Sequence, residues 1–200
     1  MKNKDICNDK NQLKKEIKNS LTSELYAHNL RTAQKAQELA DNLALNSDKA
    51  FIAGLLHDIC KGMKEKEMKK ILLNSTWSAD RWEKQIPELM HAPASAARAE
   101  REFGLNDMEI LEAIRFHSTG FAGMEKFTSV IFLADKIEPG RDYPGLKKIR
   151  EHINRDNFSR ALLTVCNNTI NFLLDNNSLI HPNTLLLRNF LLRRKQGNDR

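Results

Sequence analysis

Cysteine, aromatic residues and long apolar runs are scarce in this chain of 200 residues. Its three cysteines, Cys7, Cys60 and Cys166, are too few and too widely spaced for a disulfide framework, so a reducing cytoplasm is the expected compartment. No window approaches the roughly 20 apolar residues of a membrane-spanning helix. The charged segment 1–18 has no apolar centre and does not resemble a secretory signal. We therefore expect no membrane partner.

A strong excess of one kind of charge is also missing. Lys and Arg total 32 against 26 Asp and Glu, and the resulting charge of +6 is spread along the chain. The basic clusters, such as Lys147-Lys148, are short, and aromatic residues make up only 6% of the chain, which argues against a nucleic-acid partner. With 40% hydrophobic residues the chain can bury a core, which excludes wholesale disorder.

Glycine and proline number only 8 and 5, and no stretch alternates β-branched with polar residues, so helices are expected throughout. Gly104, Gly120 and Gly140 mark helix ends. The predicted helices span residues 11–19, 23–44, 48–60, 64–73, 79–85, 93–103, 107–117, 124–138, 145–153, 157–175 and 182–195. The sequence thus predicts an all-α, single-domain helical bundle.

Histidine and aspartate recur where apolar helices end or are interrupted. An unpaired buried carboxylate is costly and needs a cation or a metal. Imidazole and carboxylate together suit a divalent ion such as Fe, Mn or Zn, held between the helices of a bundle. The residues concerned are His28 in mid-helix, His57-Asp58 at the end of an apolar helix, His91 before the helix opened by Pro93, His117 at a helix end, and Asp135 after the apolar run 130–134.

Each of these residues has a structural explanation when taken alone. Asp135 could pair with an arginine or lysine, His91 could cap a helix, and His117 could favour a helix C-terminus. Five helices that each place a ligand-type residue at an apolar border favour a shared metal site over five separate structural roles.

The order His28, His57-Asp58, Asp135 resembles that of the HD superfamily of metal-dependent phosphohydrolases, and His91 and His117 match additional histidines of many members. Five segments resemble the YqeK family of bacterial symmetrical diadenosine tetraphosphate hydrolases: AGLLHDICK, HAPASA, AIRFHSTG, IFLADKIEPGRDYPG and IHPNTLLLRNFLL. The resemblance implies an HD-type domain over 21–192, with a helical extension over 1–20 and a basic tail over 193–200.

This resemblance implies that His28, His57, Asp58 and Asp135 hold a divalent metal, with iron expected. The ion polarises a phosphate oxygen and lowers the pKa of water, so that attack at an inner phosphorus gives two ADP. His57, Asp58 and Lys61 are the implied catalytic residues. His91 and His117 either hold a second ion, with Asp58 as the bridge, or donate hydrogen bonds to phosphate, and the sequence leaves this open.

A polyanionic substrate needs further contacts, and the resemblance supplies candidates. The implied substrate-binding residues are Lys61, Thr119, Arg141, His181 and Asn183. Each also has an ordinary structural explanation, such as a turn former for Thr119 or a plain helix connection for 179–183. The implied partner is a dinucleoside polyphosphate or a nucleoside diphosphate.

Two other functions remain open from the sequence. One is an HD-domain nucleotidase or phosphodiesterase acting on another nucleotide, and the other is a non-catalytic helical module that binds a nucleotide or RNA. The oligomeric state is also open, with a homodimer among the alternatives.

Overall fold

The structure, a computed structural model, describes residues 9–73, 75–155 and 157–198. These ranges form ten α-helices and contain no β-strand, which confirms the all-α prediction. The helices are α1 (Lys10–Ser20), α2 (Ser23–Asn42), α3 (Ser47–Leu56), α4 (Glu65–Leu72), α5 (His91–Phe103), α6 (Met108–Phe116), α7 (Lys126–Ile137), α8 (Leu146–Asn154), α9 (Phe158–Asp175) and α10 (Pro182–Asn198). A short 3-10 helix, Pro87–Met90, precedes α5.

The helix predicted over 79–85 is wrong, because that segment forms hydrogen-bonded turns. Asp80 accepts from the backbone N–H groups of Trp82 and Glu83, and Glu83 accepts from that of Asp80. This reciprocal capping starts a helical turn, but Pro87 follows, and proline disfavours the helical conformation of Ile86 before it. The segment therefore stops after about one turn.

The predicted helix over 48–60 ends earlier, at Leu56. A longer helix would need the carbonyl groups of Gly54 and Leu55 as acceptors. Gly54 instead accepts from the His57 ring at 2.7 Å, and Leu55 accepts from the Asn29 side chain at 3.0 Å. The chain therefore leaves α3 in a tighter turn, whose backbone hydrogen bonds link residues three apart.

The core is built around α7, in which every residue except Lys126 and Lys136 is buried. Helices α2, α3 and α6 pack against it, with α5 behind α6 and α4 against α5. Helices α8, α9 and α10 continue the bundle on the other side of α7. This packing brings the C-terminal ends of α3, α6 and α7 and the start of α5 into one region.

The predicted N-terminal extension contributes α1, whose Leu13 and Ile17 are completely buried in the core. Residues 1–8 of that extension, including Cys7, lie outside the described residues, as do residues 199–200 of the predicted basic tail. Helix α10 itself extends through the first part of that tail, to Asn198.

A search of the described residues finds no helix both long and apolar enough to cross a membrane.

Helices α2 and α3 meet at an unusually close contact. A Cβ atom at Gly54 would lie 2.6 Å from the Cα atom and 2.9 Å from the nitrogen of Ala33, both backbone atoms. Only glycine allows this approach, which sets the distance between α2, which carries His28, and α3, which leads into His57.

We predict that Gly54→Ala destabilises the protein by about 1–3 kcal/mol, because the two backbones must move apart. Urea unfolding with a chelator present measures this change without a contribution from bound metal. The double variant Gly54→Ala/Ala33→Gly should not recover the loss, because the clash is with the backbone of Ala33. Unchanged stability of Gly54→Ala would contradict the close packing.

Candidate metal centre

Five helices bring the histidines and aspartates predicted from the sequence into one cluster. Most of these side chains lie at a helix end, where the chain turns away and leaves the side chain facing the interior of the bundle. They are His28 on α2, His57 and Asp58 after α3, His91 at the start of α5, His117 after α6, and Asp135 near the end of α7.

Hydrogen bonds fix the orientation of all four imidazole rings. In each ring Nδ1 lies beside an oxygen atom, so Nδ1 carries hydrogen and Nε2 is the nitrogen left to bind a cation. Three of the rings use the carbonyl three residues earlier: His57 with Gly54 at 2.7 Å, His91 with Glu88 at 2.5 Å, and His117 with Ile114 at 2.8 Å. His28 instead uses the Glu138 carboxylate, at 3.2 Å.

The first group of donors consists of His28, His57, Asp58 and Asp135. From His28 Nε2 the distances are 3.3 Å to His57 Nε2, 3.4 Å to Asp58 Oδ2 and 3.2 Å to Asp135 Oδ1. Donors that surround one ion at about 2.1 Å lie roughly 3.0–3.5 Å from one another. The spacing therefore fits a single divalent ion.

The second group consists of Asp58, His91 and His117. The two Nε2 atoms are 3.1 Å apart, and they lie 3.0 Å and 3.2 Å from the other oxygen of Asp58, Oδ1. That oxygen is buried and has no hydrogen-bond partner. An unpartnered carboxylate oxygen among imidazole nitrogens fits a second cation, which the same three residues could hold.

Asp58 and Asp135 are both ionised. Burial alone would raise the pKa of Asp58, but the imidazoles of His57 and His91 hold it well below its ordinary value. For Asp135, burial is likewise outweighed by the ammonium group of Lys136 and by hydrogen bonds from histidine. The centre thus presents two carboxylate anions to whatever binds there.

His57 of the first group and His117 of the second differ in their affinity for a proton. Burial lowers the pKa of His57, but the Asp58 and Asp135 carboxylates outweigh it and raise the value to about 9. Burial, with the neighbouring charge of His57, lowers the pKa of His117 to about 3. A metal ion at the first group therefore competes with a proton at neutral pH, so its affinity rises with pH.

Lys61 and Arg141 stand at the edge of the cluster. The Lys61 ammonium is 2.6 Å from Asp58 Oδ2. The Arg141 guanidinium donates to Asp135 Oδ1 at 2.5 Å and to the Asp135 carbonyl at 2.8 Å. The two cations are 43% and 32% exposed, so both can also reach a ligand from solvent.

The other predicted contacts form a separate junction. The Thr119 hydroxyl donates to the Gly120 carbonyl, and the Thr119 carbonyl accepts from Thr184 at 3.1 Å. His181 lies 2.9 Å from Asp80, and its Nδ1 accepts from the backbone N–H of Asn183. Among the described residues no hydrogen bond or ion pair joins Thr119, His181 or Asn183 to the cluster.

Three polar residues at the centre were missed from the sequence: Lys136, Glu138 and Ser118. The Lys136 ammonium lies 2.5 Å from Asp135 Oδ2. Glu138 is buried, accepts from Arg31 at 2.6 Å and contacts His28. Ser118 places its hydroxyl 3.1 Å from His91 Nε2 and 3.0 Å from His117 Nε2. Their positions gave a signal, because Glu138 follows Asp135 by one helical turn and Ser118 is next to His117.

A family model described as "HD domain" matches residues 25–140, which include all six residues of the cluster. The chain belongs to the HD domain family. The other comparisons agree with this assignment at the level of sequence and of fold.

Two relatives of this HD-domain chain are named symmetrical bis(5'-nucleosyl)-tetraphosphatase. One, from Bacillus subtilis, is 38% identical over 176 residues, covering 88% of this chain and 94% of the relative. Another, from Halalkalibacterium halodurans, is 36% identical over 180 residues, covering 88% and 93%. A crystal structure of a predicted HD superfamily hydrolase involved in NAD metabolism, from Clostridium acetobutylicum, is 32% identical with a TM-score of 0.87, covering 93% of this chain and 98% of that one.

We predict that Glu138→Gln weakens metal binding to this HD domain about 10-fold to 100-fold, because His28 loses the carboxylate that orients its ring. Competition with a chelator of known affinity measures the change. Glu83→Gln is the matched control, since Glu83 is equally buried and is also bonded to an arginine, Arg115. An equal loss of metal affinity in both variants would contradict the assignment.

Proposed function

We propose that this HD-domain protein is a metal-dependent hydrolase that cuts diadenosine tetraphosphate, and related dinucleoside polyphosphates, symmetrically into nucleoside diphosphates. The observation that carries the proposal is the cluster itself, in which the two oxygens of Asp58 serve two groups of donors. The relatives named symmetrical bis(5'-nucleosyl)-tetraphosphatase support the choice of substrate.

The residues around the cluster have distinct roles in this reaction. A bound ion would supply Lewis acidity, polarising a phosphate oxygen and lowering the pKa of water. His57 and Asp58 would hold the ion in position for this reaction. Lys61 can exchange its contact with Asp58 for one with a phosphate. Arg141 uses Nε and one Nη to hold Asp135, and its other Nη, without a partner among the described residues, is available to a second phosphate.

Thr119 is proposed to contact the polyphosphate, and His181 and Asn183 the nucleoside. Their support is indirect: Thr119 follows His117 by two residues, and Thr184 attaches the start of α10 to the same loop. The His181 ring is buried, is held by Asp80 and accepts from the backbone N–H of Asn183, so it would position the 181–183 segment against the nucleoside.

Iron is the proposed metal, held by His28, His57, Asp58 and Asp135, because imidazole and carboxylate donors suit it. A second ion at His91 and His117 is supported by the unpartnered Oδ1 atom of Asp58. In the alternative, those two histidines donate to phosphate directly, which requires a proton on each Nε2 in addition to the one that Nδ1 gives to a carbonyl.

We also propose that the protein forms a homodimer and works in a reducing cytoplasm. Exposed apolar side chains on α9, on α10 and between them support self-association: Phe172, Leu174, Leu179, Leu185 and Leu186. Cys60 and Cys166 are free thiols, which is compatible with a reducing compartment.

His117→Ala should lower the bound metal from two ions per chain to one, because Asp58 and His91 alone are a poor site. Elemental analysis of purified protein measures this. His152→Ala is the control, as a histidine of α8 outside the cluster. Unchanged stoichiometry with weaker substrate binding would instead assign His91 and His117 to the phosphate.

Diadenosine tetraphosphate should give two ADP and neither AMP nor ATP. Anion-exchange chromatography of samples taken over time measures these products. Arg141→Glu should lower kcat/KM by about tenfold to a hundredfold, the scale of one lost charge-assisted contact. Arg160→Glu, on the exposed surface of α9, makes the same charge change away from the cluster. Products of ATP and AMP, or faster turnover of a phosphomonoester, would favour a different HD-domain nucleotidase.

A further inference from the structure

A cleft of about 930 Å³ lies beside the metal cluster, and apart from Lys61 no role has been given to its walls. It is bounded by the junction of α1 and α2, the turn after α3, and parts of α4 and α5. Sites for small molecules have volumes of roughly 300–1,000 Å³, so the cleft has room for a ligand of nucleotide size.

Lys61 joins this cleft to the cluster. Its side chain lines the cleft, while its Nζ is 2.6 Å from Asp58 Oδ2. The side chain is 43% exposed, so the ammonium group can serve a ligand in the cleft as well as the carboxylate. Lys61 thus lies where a row of phosphates bound at the cluster would pass into the cleft.

The walls of the cleft combine positive charge with apolar surface. Arg98 is held by Glu102 and by the Ile59 carbonyl, whereas Lys70 has no hydrogen bond or ion pair among the described residues. Cations attract phosphates, and apolar side chains or a guanidinium plane pack against a base. The lining residues include the basic Lys61, Lys70 and Arg98, the acidic Glu67, and the apolar Leu25 and Ile71.

A symmetrical cut places a geometric demand on the protein. The bond that breaks is at the middle of the tetraphosphate, so two identical nucleoside diphosphate halves extend from the cluster and each needs its own surface. Arg141 contacts Asp135 of the cluster, whereas Lys61 contacts Asp58. Arg141 also lines another cleft, which shares no residue with the one at Lys61.

We propose that the cleft at Lys61 is a second nucleotide subsite, which binds the nucleoside diphosphate half that Arg141 does not hold. The proposal rests on the function proposed above and specifies how both halves of its substrate are bound. Lys61 and Lys70 attract the phosphates of this half, and the apolar wall around Ile71 packs against its base.

The test compares two substrates of the metal-loaded protein, diadenosine tetraphosphate and adenosine 5'-tetraphosphate, which lacks only the second adenosine. Ile71→Ala should lower kcat/KM for the dinucleotide about fivefold to tenfold, the scale of a few lost methylene contacts. Its kcat/KM for adenosine tetraphosphate should barely change. Leu72→Ala is the matched control, because Leu72 is the next residue of α4 and packs against the core without lining the cleft.

Equal losses with both substrates, or no loss at all, would overturn the subsite. Equilibrium dialysis with labelled ADP tests the subsite independently of catalysis. The number of ADP molecules bound is measured on the wild-type protein, so this result does not depend on the stability of a variant. Two ADP per metal-loaded chain, one of them bound more weakly by Ile71→Ala, supports the subsite, and a single ADP per chain overturns it. A protein that binds two ADP yet releases none from the dinucleotide retains the subsite and loses the proposed function.

Discussion

Two carboxylates buried in an apolar bundle determine the architecture of this protein. Asp58 and Asp135 are almost completely excluded from solvent, and ionised groups at such depth are stable only beside compensating positive charge. The ends of α3, α6 and α7, the start of α5 and the first half of α2 converge on them for this reason. The close contact at Gly54 and the early end of α3 both help to place ring nitrogens and carboxylate oxygens at the spacing of donors around a single ion.

Much of this centre was predictable from residue type and position. Histidine and aspartate at apolar helix borders are chemically conspicuous, so the six cluster residues were found without knowledge of the packing. Glu138 and Ser118 were missed because glutamate and serine after a helix are usual at a surface, and only the packing of α2 and α5 next to them gives them distant partners. The helix predicted over 79–85 was wrong because Pro87 stops the capped turn at Asp80 from continuing as a helix.

The surroundings of the cluster differ from those of a purely structural metal site. A structural site is closed by its protein ligands, whereas here Lys61, Arg141 and Ser118 form a polar edge that is partly open to solvent. Lys61 and Arg141 contact different carboxylates, so a polyphosphate that displaces both of them is held on two sides of the cluster. This arrangement suits an extended anion better than a compact phosphomonoester.

The sharing of Asp58 has a consequence for metal occupancy. One carboxylate carries a single negative charge, yet it offers an oxygen to each of two groups of donors. If both groups held a cation, the second would bind next to a like charge, so the two binding events would oppose each other. Such negative cooperativity would keep half-loaded molecules populated over a wide range of metal concentration, and the form of the protein at work would then depend on the supply of metal around it.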